Sequence, residues 1–239
     1  MIPEIAAHLP PSLATFGNRI TLAADPRAGR PVASLRDRAV FDAVMAAFGA
    51  AYPEADRRSL VSLWSQSYLA ALIIPCVTAL LCLDRVLPVA LEVTGFELAP
   101  DAALSRFVVP AEAPAGCRAC PRFATLITDH FETFVDLCAG HDGLSPRVLW
   151  GNAGVMFDFT LRELAAAAAL LPEPRAEAEA LLGRRPCAGT ACGPLARTFC
   201  AGGSLAPQRR RVCCMRYRLP GVPSCGALCP IRHPDTTPC

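Results

Sequence analysis

Residues 68–83 read YLAALIIPCVTALLCL, a run without a single charged side chain. A helix that spans a bilayer needs about 20 apolar residues, and this run is shorter and interrupted by Pro75. The pattern therefore favours a buried core helix kinked at Pro75 and predicts no transmembrane segment, although it leaves loose peripheral membrane contact open. Leu63 and Trp64 continue the helical spacing upstream, so we expect the helix to begin near Ala55.

Four further segments have the apolar spacing of helices. The predicted spans are residues 34–48, 122–139, 145–171 and 173–183. Ser34 and Ser145 are the predicted N-caps of the first and third of these helices. His130 falls on the apolar stripe of the second helix, and we interpret it as a buried, hydrogen-bonded structural histidine.

The pattern changes between residues 86 and 110. Here VLPVALEV and RFVV are short, β-branched and separated by turn residues, which predicts two or three strands. Residues 1–33 lack sustained periodicity and predict an irregular lead-in. We therefore predict an α+β fold, in which a helix-dominated domain with a small β-sheet (residues 1–207) precedes an irregular, cysteine-rich C-terminal segment (residues 208–239).

Composition narrows the classes of function. The net charge of +2 argues against a nucleic-acid-binding protein, which would carry a large basic excess. The 13 cysteines are an odd number, and the N-terminus lacks the pattern of a signal peptide, so we expect reduced thiols in the cytoplasm. The chain has no GxGxxG fingerprint and no P-loop, so no nicotinamide or flavin site is indicated and we expect electrons to come from a separate donor.

The densest group of cysteines lies near the C-terminus. Cys213 and Cys214 are adjacent, ten residues separate them from Cys225, and three more separate Cys225 from Cys229. Four thiolates can hold a [2Fe–2S] cluster, with two ligands on each iron. Zinc also accepts four thiolates, but its sites usually pair them as C-x2-4-C, which a vicinal pair does not match. We interpret the segment as an iron–sulfur site, with zinc as the alternative.

The other cysteines fall into three groups. Thiols inside apolar runs are interpreted as core residues: Cys76, Cys82 and Cys138. Thiols in loop-like sequence could form a second metal site, but we favour unligated loop thiols: Cys117, Cys120, Cys187 and Cys192. Two cysteines would substitute for Cys229 if it were misplaced: Cys200 and Cys239.

The cysteine segment resembles a known family. CCMRYRLPGVPSC, with an arginine run before it, is similar to the C-terminal signature of ferric-siderophore reductases of the FhuF type. SLWSQSYLAALIIP (62–75) and RVLWGNAG (147–154) resemble two tryptophan-bearing segments of that family, and the likeness extends from about residue 35 to 230. The family has two residues between its last two cysteines, whereas this chain has three, which changes how Cys225 and Cys229 converge on one iron.

The resemblance implies a cytosolic ferric-siderophore reductase. A [2Fe–2S] cluster held by Cys213, Cys214, Cys225 and Cys229 would reduce siderophore-bound Fe(III) to Fe(II) by one electron. The hard oxygen donors of a siderophore bind Fe(II) far less well, so reduction releases the iron. Electrons would come from a separate donor of the ferredoxin or flavin reductase type. The alternative is a zinc-stabilised siderophore-handling or scaffold protein without redox activity.

Two features near the proposed site have competing interpretations. Arg209, Arg210 and Arg211 would stabilise a reduced cluster and raise its potential, or attract an acidic donor protein, or form a solvated basic turn. Gly151 and Gly154 lie inside a predicted helix, where each glycine costs about 1 kcal/mol relative to alanine, so something approaches that face closely. We favour tight packing over substrate contact as the reason for these glycines.

Overall fold

A computed structural model describes residues 1–23, 29–111, 121–184, 193–200 and 209–231. Its central element is helix α3 (Arg57–Leu83), which contains the whole apolar run and continues through Pro75. Asp56 caps the helix by accepting a hydrogen bond from the backbone N–H of Ser59 at 3.1 Å. By length and composition α3 could cross a membrane, but 78% of its most apolar window is buried inside the protein. The predicted core helix is therefore confirmed.

Further helices surround α3. They are α1 (Pro3–Ala6), α2 (Arg38–Gly49), α4 (Ala124–Leu126), α5 (Thr133–Asp142), α6 (Pro146–Ala167) and α7 (Pro172–Leu181). A π-helical segment (Ile127–Glu132) joins α4 to α5. Helix α6 packs along α3 more extensively than any other element. Both helices have buried residues around most of their circumference, as expected for a pair at the centre of a domain.

A small mixed sheet covers one side of α3. Its strands are β1 (Ile20–Ala23), β2 (Arg30–Pro31), β3 (Gly95–Leu98) and β4 (Leu104–Pro110), in the order β1-β4-β3-β2. Strand β1 pairs parallel with β4, whereas β3 is antiparallel to both β4 and β2. The predicted α+β class, dominated by helices with a small sheet, is confirmed.

Several local predictions were wrong. Residues 86–93 form no strand, because Pro88 and the 3₁₀ turn at Leu91–Val93 take the chain out of extended geometry. The irregular lead-in contains strand β1, which is too short to show an alternating pattern. Helix α2 is capped by Asp37, whose side chain accepts from the N–H groups of Ala39 and Val40, and not by Ser34. Ser145 precedes α6 as predicted but makes no side-chain capping hydrogen bond.

The interpretation of His130 as a structural histidine is confirmed. Its side chain is fully buried between the sheet and α3, where one ring nitrogen contacts the hydroxyl of Tyr68 at 2.6 Å and the other contacts the carbonyl oxygen of Val89. The Tyr68 ring stacks on Phe134, with centroids 4.0 Å apart, and meets the edge of Phe107. Burial lowers the pKa of His130 from its ordinary value of 6.5 to about 4, so the ring is neutral at pH 7.

This buried imidazole makes stability depend on pH. The pKa of His130 is lower in the folded protein than in the unfolded chain, so its contribution to stability is complete above pH 6.5. This stability is lost as the pH falls towards 4, because the unfolded chain then binds a proton at this histidine and the folded protein does not. We expect a loss of up to about 3 kcal/mol in the free energy of unfolding. Urea unfolding at a series of pH values, on the wild type and His130→Gln, measures it.

Glutamine can donate to Val89 and accept from Tyr68 without titrating. The difference in unfolding free energy between the two proteins should therefore change by this amount between pH 7 and pH 4. A difference that stays constant across the range would contradict the assignment.

Candidate metal centre

The structure brings the two ends of the cysteine segment together. The backbone N–H of Arg210 donates to the carbonyl oxygen of Leu228 at 3.0 Å, next to Cys229. Arg210 also forms an isolated β-bridge with Phe199. Short 3₁₀ turns at Arg216–Arg218 and Gly226–Leu228 fold the intervening chain back on itself. The irregular backbone predicted for this segment is thus what allows distant cysteines to meet.

The four predicted cysteines lie near one another, since Cys214 and Cys229 act on the charge of both Cys213 and Cys225. Cys214 and Cys229 are buried, and Cys213 and Cys225 are half-buried. Burial, followed by the charges of Cys214 and Cys229, raises the pKa of Cys225 to about 12. Burial likewise raises the pKa of Cys213, with Cys214 and Cys229 acting in the same direction. In the described part of the chain, no three Cys, His, Asp or Glu side chains are grouped closely enough to hold one metal ion.

The donor set can be compared with what a [2Fe–2S] cluster requires. Each of its irons needs two thiolates, and the chain supplies four thiols within one small region. Such a cluster is anionic and accepts hydrogen bonds at sulfur. The backbone N–H of Met215 donates to Sγ of Cys213 at 3.2 Å, from a left-handed turn with φ of 63° at Met215. The residues present therefore fit the group in number, in chemical type and in the donors around them.

A buried cation lies beside the thiols. The side chain of Arg210 is only 2% exposed. Burial lowers the pKa of its guanidinium, while the sulfurs of Cys214, Cys225 and Cys213 act in the opposite direction. Its Nε has no hydrogen-bond partner among the residues that the structure describes. A buried charge requires compensation, so a solvated basic turn is the wrong interpretation for this arginine, whereas Arg211 is exposed.

Asn152 connects this cation to the helical core. Its Oδ1 accepts a 2.6 Å hydrogen bond from Nη2 of Arg210. Its Nδ2 donates to the carbonyl oxygen of Ser62 at 3.1 Å and to Oγ of Ser65 at 2.9 Å. The hydroxyl of Ser62 in turn donates to the backbone carbonyl oxygen of Cys214 at 2.7 Å. This buried network, which we call the Asn152 hub, joins α3, α6 and the cysteine segment.

The hub residues were not predicted as functional from the sequence. Ser62 and Ser65 appeared only inside a segment that resembles the family. Asn152 was considered only together with Gly151 and Gly154, where tight packing was favoured over substrate contact. The signal that could have found them is the occurrence of buried serines on one face of an otherwise apolar helix, opposite an asparagine between two glycines. A second hydrogen bond between the cysteine segment and α3 was also not predicted: Nη2 of Arg216 donates to Oε1 of Gln66 at 3.0 Å.

The glycines of α6 are explained by close packing. A Cβ at Gly151 would lie 3.1 Å from Nη2 of Arg210, and one at Gly154 would lie 1.8 Å from Oγ1 of Thr198. The prediction of a close approach on this face is therefore confirmed.

Not every cysteine prediction can be followed into the structure. Cys76 and Cys138 are buried and Cys82 is half-buried, in agreement with the core interpretation. Cys200 is disulfide-bonded, so it does not offer a thiolate in place of Cys229. Five further cysteines lie outside the described residues: Cys117, Cys120, Cys187, Cys192 and Cys239.

A cavity of about 700 Å³ opens beside the cysteine segment. Trp150 and Gly151 line it from α6, and Val212, which directly precedes Cys213, lines it from the other side. Gly151 lines the cavity, and its missing side chain also leaves room for the guanidinium of Arg210. The cavity is within the size range of small-molecule sites, about 300–1,000 Å³.

Packing at Gly154 gives a prediction that separates two helix glycines. In Gly154→Ala the new methyl group would also lie 2.7 Å from Cβ of Thr198, so a rotamer change cannot relieve the clash. We expect a loss of roughly 2 kcal/mol or more in unfolding free energy. At Gly140 in α5 an added methyl group would meet no atom within 4 Å, and Gly140→Ala should gain up to about 1 kcal/mol. Urea unfolding of both variants checks this, and equal effects would contradict it.

The family model described as "Ferric iron reductase FhuF-like transporter" matches residues 62–199, more than half of the chain. The ferric siderophore reductase of Escherichia coli (strain K12) is 29% identical over 178 residues, which cover 72% of this chain and 65% of that protein. The alignment thus spans less than two thirds of the relative's length. The family match ends before Cys213 and is independent of the cysteine segment, and on its strength the chain belongs to the FhuF-like ferric iron reductase family.

Proposed function

We propose that this protein is a cytoplasmic ferric-siderophore reductase, which converts siderophore-bound Fe(III) to Fe(II) by one-electron transfer. The observation that supports the proposal is the proximity of Cys213, Cys214 and Cys225 to the buried cation Arg210, in a chain of the FhuF-like family. The name of the Escherichia coli relative supports the substrate class. No acid–base residue is required at the iron, because the reaction adds one electron to the metal.

The proposed ligands of the cofactor are Cys213, Cys214, Cys225 and Cys229. When bound, a [2Fe–2S] cluster supplies a one-electron carrier. The ligand thiols must lose their protons on binding, and their raised pKa values mean that metal binding has to displace those protons. The packed surroundings of Cys214 and Cys229 limit the access of water to that end of the site.

The surrounding residues have separate tasks in this proposal. Arg210 would compensate the negative charge that accumulates on reduction, and the N–H of Met215 would stabilise the thiolate of Cys213. Asn152 would hold the Arg210 guanidinium in place through its 2.6 Å hydrogen bond. The ferric siderophore would occupy the cavity next to Val212, and release of iron would follow from the weaker binding of Fe(II) by hard oxygen donors.

Electrons would reach the site from a separate protein of the ferredoxin or flavin reductase type. The sequence contains neither a GxGxxG fingerprint nor a P-loop. The proposal includes no partner nucleic acid. The exposed arginines near the cysteine segment, including Arg211 and Arg218, suit the approach of an acidic donor surface.

Anaerobic purification, metal analysis and a visible spectrum before and after dithionite test the proposal. We expect about two irons per chain and absorption between roughly 300 and 600 nm that bleaches on reduction. Addition of a ferric siderophore to the reduced protein should restore the absorption and yield Fe(II), trapped with a ferrous chelator. A colourless protein that contains stoichiometric zinc would contradict the reductase proposal and support the alternative, a zinc-stabilised siderophore-handling or scaffold protein.

Substitution of one ligand sharpens the test. Cys229→Ser should lose most of the iron and the visible absorption, because serine is a poor replacement for a thiolate on this cluster. Cys82→Ser is the matched control, since Cys82 is a half-buried thiol on α3 that should leave iron content unchanged. Full iron content in Cys229→Ser would remove Cys229 from the ligand set and make Cys239 the next residue to test.

The buried cation has a measurable effect of its own. Arg210→Met removes a positive charge beside the ligands, and we expect the reduction midpoint to fall by on the order of 50 mV. Arg210→Lys should retain most of the wild-type value. Arg218→Gln is an exposed control, since Arg218 contacts Asp56 at 3.5 Å and the hydroxyl of Tyr217 at 3.3 Å. Redox titration followed by the visible spectrum gives the midpoints, and an unchanged potential in Arg210→Met would exclude this role.

A further inference from the structure

We propose that the cavity beside the cysteine segment selects iron chelates with a net negative charge over neutral ones. The inference rests on the proposed function, because it assigns the substrate class of that same site. Its basis is the set of side chains around the cavity. Arg147, Arg197 and Arg211 line it together with Trp150 and Val212, and none of its lining residues in the described ranges is acidic.

These arginines differ from most others in the protein. Arg122, for example, forms ion pairs with Asp84, Glu173 and Glu177. Within the described part of the chain, Arg147 and Arg197 make no ion pair. Arg211 donates its Nε to the carbonyl oxygen of Phe199 at 2.8 Å, which leaves its charge uncompensated. The cavity therefore concentrates positive charge that no ion pair among the described residues neutralises.

The sequence around the cavity has the same bias. Residues 180–234 contain nine arginines and no aspartate or glutamate, although the whole chain has a net charge of only +2. This stretch includes the segments on both sides of Arg197 and Arg211, so no carboxylate from the adjoining chain can offset the cavity's charge. Arg210 adds a further buried positive charge behind Gly151.

Siderophore classes differ in the net charge of their iron complexes. Three doubly charged catecholates more than neutralise Fe(III), and citrate-type carboxylate chelates are also anionic. Three singly charged hydroxamates only balance the metal's charge. Arginine guanidinium groups bind carboxylate and phenolate oxygens strongly and stack on aromatic rings, and the half-buried indole of Trp150 offers a second stacking surface. Anionic chelates, above all aromatic ones, thus complement both the charge and the surface of the cavity.

Binding can be separated from reduction by the use of Ga(III), which has the charge and size of Fe(III) but accepts no electron under these conditions. Isothermal titration calorimetry would compare Ga(III) complexes of a hexadentate tris-catecholate, of citrate and of a tris-hydroxamate with the purified holoprotein. We expect at least tenfold tighter binding of the anionic complexes than of the tris-hydroxamate. The preference should shrink as salt is raised from 50 to about 500 mM. A stronger catecholate signal would favour stacking, and equal catecholate and citrate signals would favour charge alone.

The matched variants are Arg147→Gln with Arg197→Gln, and Arg58→Gln as a control. Arg58 is an exposed arginine on α3 that does not line the cavity. The double variant should lose most of the preference for anionic complexes, whereas the control should keep it. Equal or tighter binding of the tris-hydroxamate, absence of binding by every complex, or an unaltered preference in the double variant would each overturn the inference.

The proposed function is judged by a different readout, namely Fe(II) formation from ferric complexes by the reduced protein. A cavity that binds anionic Ga(III) chelates in a protein that reduces none of the ferric ones would support the charge selection and contradict the reductase. Reduction of ferric chelates without any preference for their charge would support the reductase and contradict the charge selection.

Discussion

The hydrogen bond between Arg210 and Asn152 is the contact on which the rest of the site depends. A guanidinium that is only 2% exposed would be costly without partners. Asn152 satisfies one side of it from α6, and the sulfurs of Cys214, Cys225 and Cys213 stabilise its positive charge. Because Asn152 also holds Ser62 and Ser65, the same side chain positions the carbonyl oxygen of Cys214 through Ser62. The same side chain, Asn152, therefore both compensates the buried charge of Arg210 and connects α6 to α3.

The helical part of the fold could be predicted because its signals are long and periodic. The uncharged run at residues 68–83 is shorter than a membrane span, which favoured a core position. The burial of α3 agrees with that prediction, although the whole helix is long enough to cross a bilayer. Strand β1 could not be predicted, since four residues give no usable alternation and its pairing with β4 depends on a partner 87 positions away. Residues 86–93 misled in the opposite way, because β-branched composition indicates a buried surface as much as a strand.

The candidate ligands came from the sequence and stay a prediction, whereas their surroundings were not predicted at all. Clustered cysteines are easily recognised in a sequence, whereas a run of three arginines gives no indication that its middle residue is buried. Burial of Arg210 is decided by a gap in α6, which Gly151 creates, and by an acceptor on the next residue. Such tertiary complementarity has no local pattern. The separation of the chain at residue 207 into two parts stays a prediction, although Ser62 and Gln66 tie α3 directly to the cysteine segment.

The hydrogen bond from Ser62 to Cys214 spans 152 residues of sequence, and this has a consequence for assembly. Contacts between distant residues form late, because the entropy of closing a long loop must first be offset by other interactions. Helices α3 and α6 can pair before the cysteine segment arrives, so the thiols stay accessible on the nascent protein while the core is already formed. Docking of Arg210 against Asn152 would then enclose the thiols, so the interval between these two events is the time at which they are most accessible.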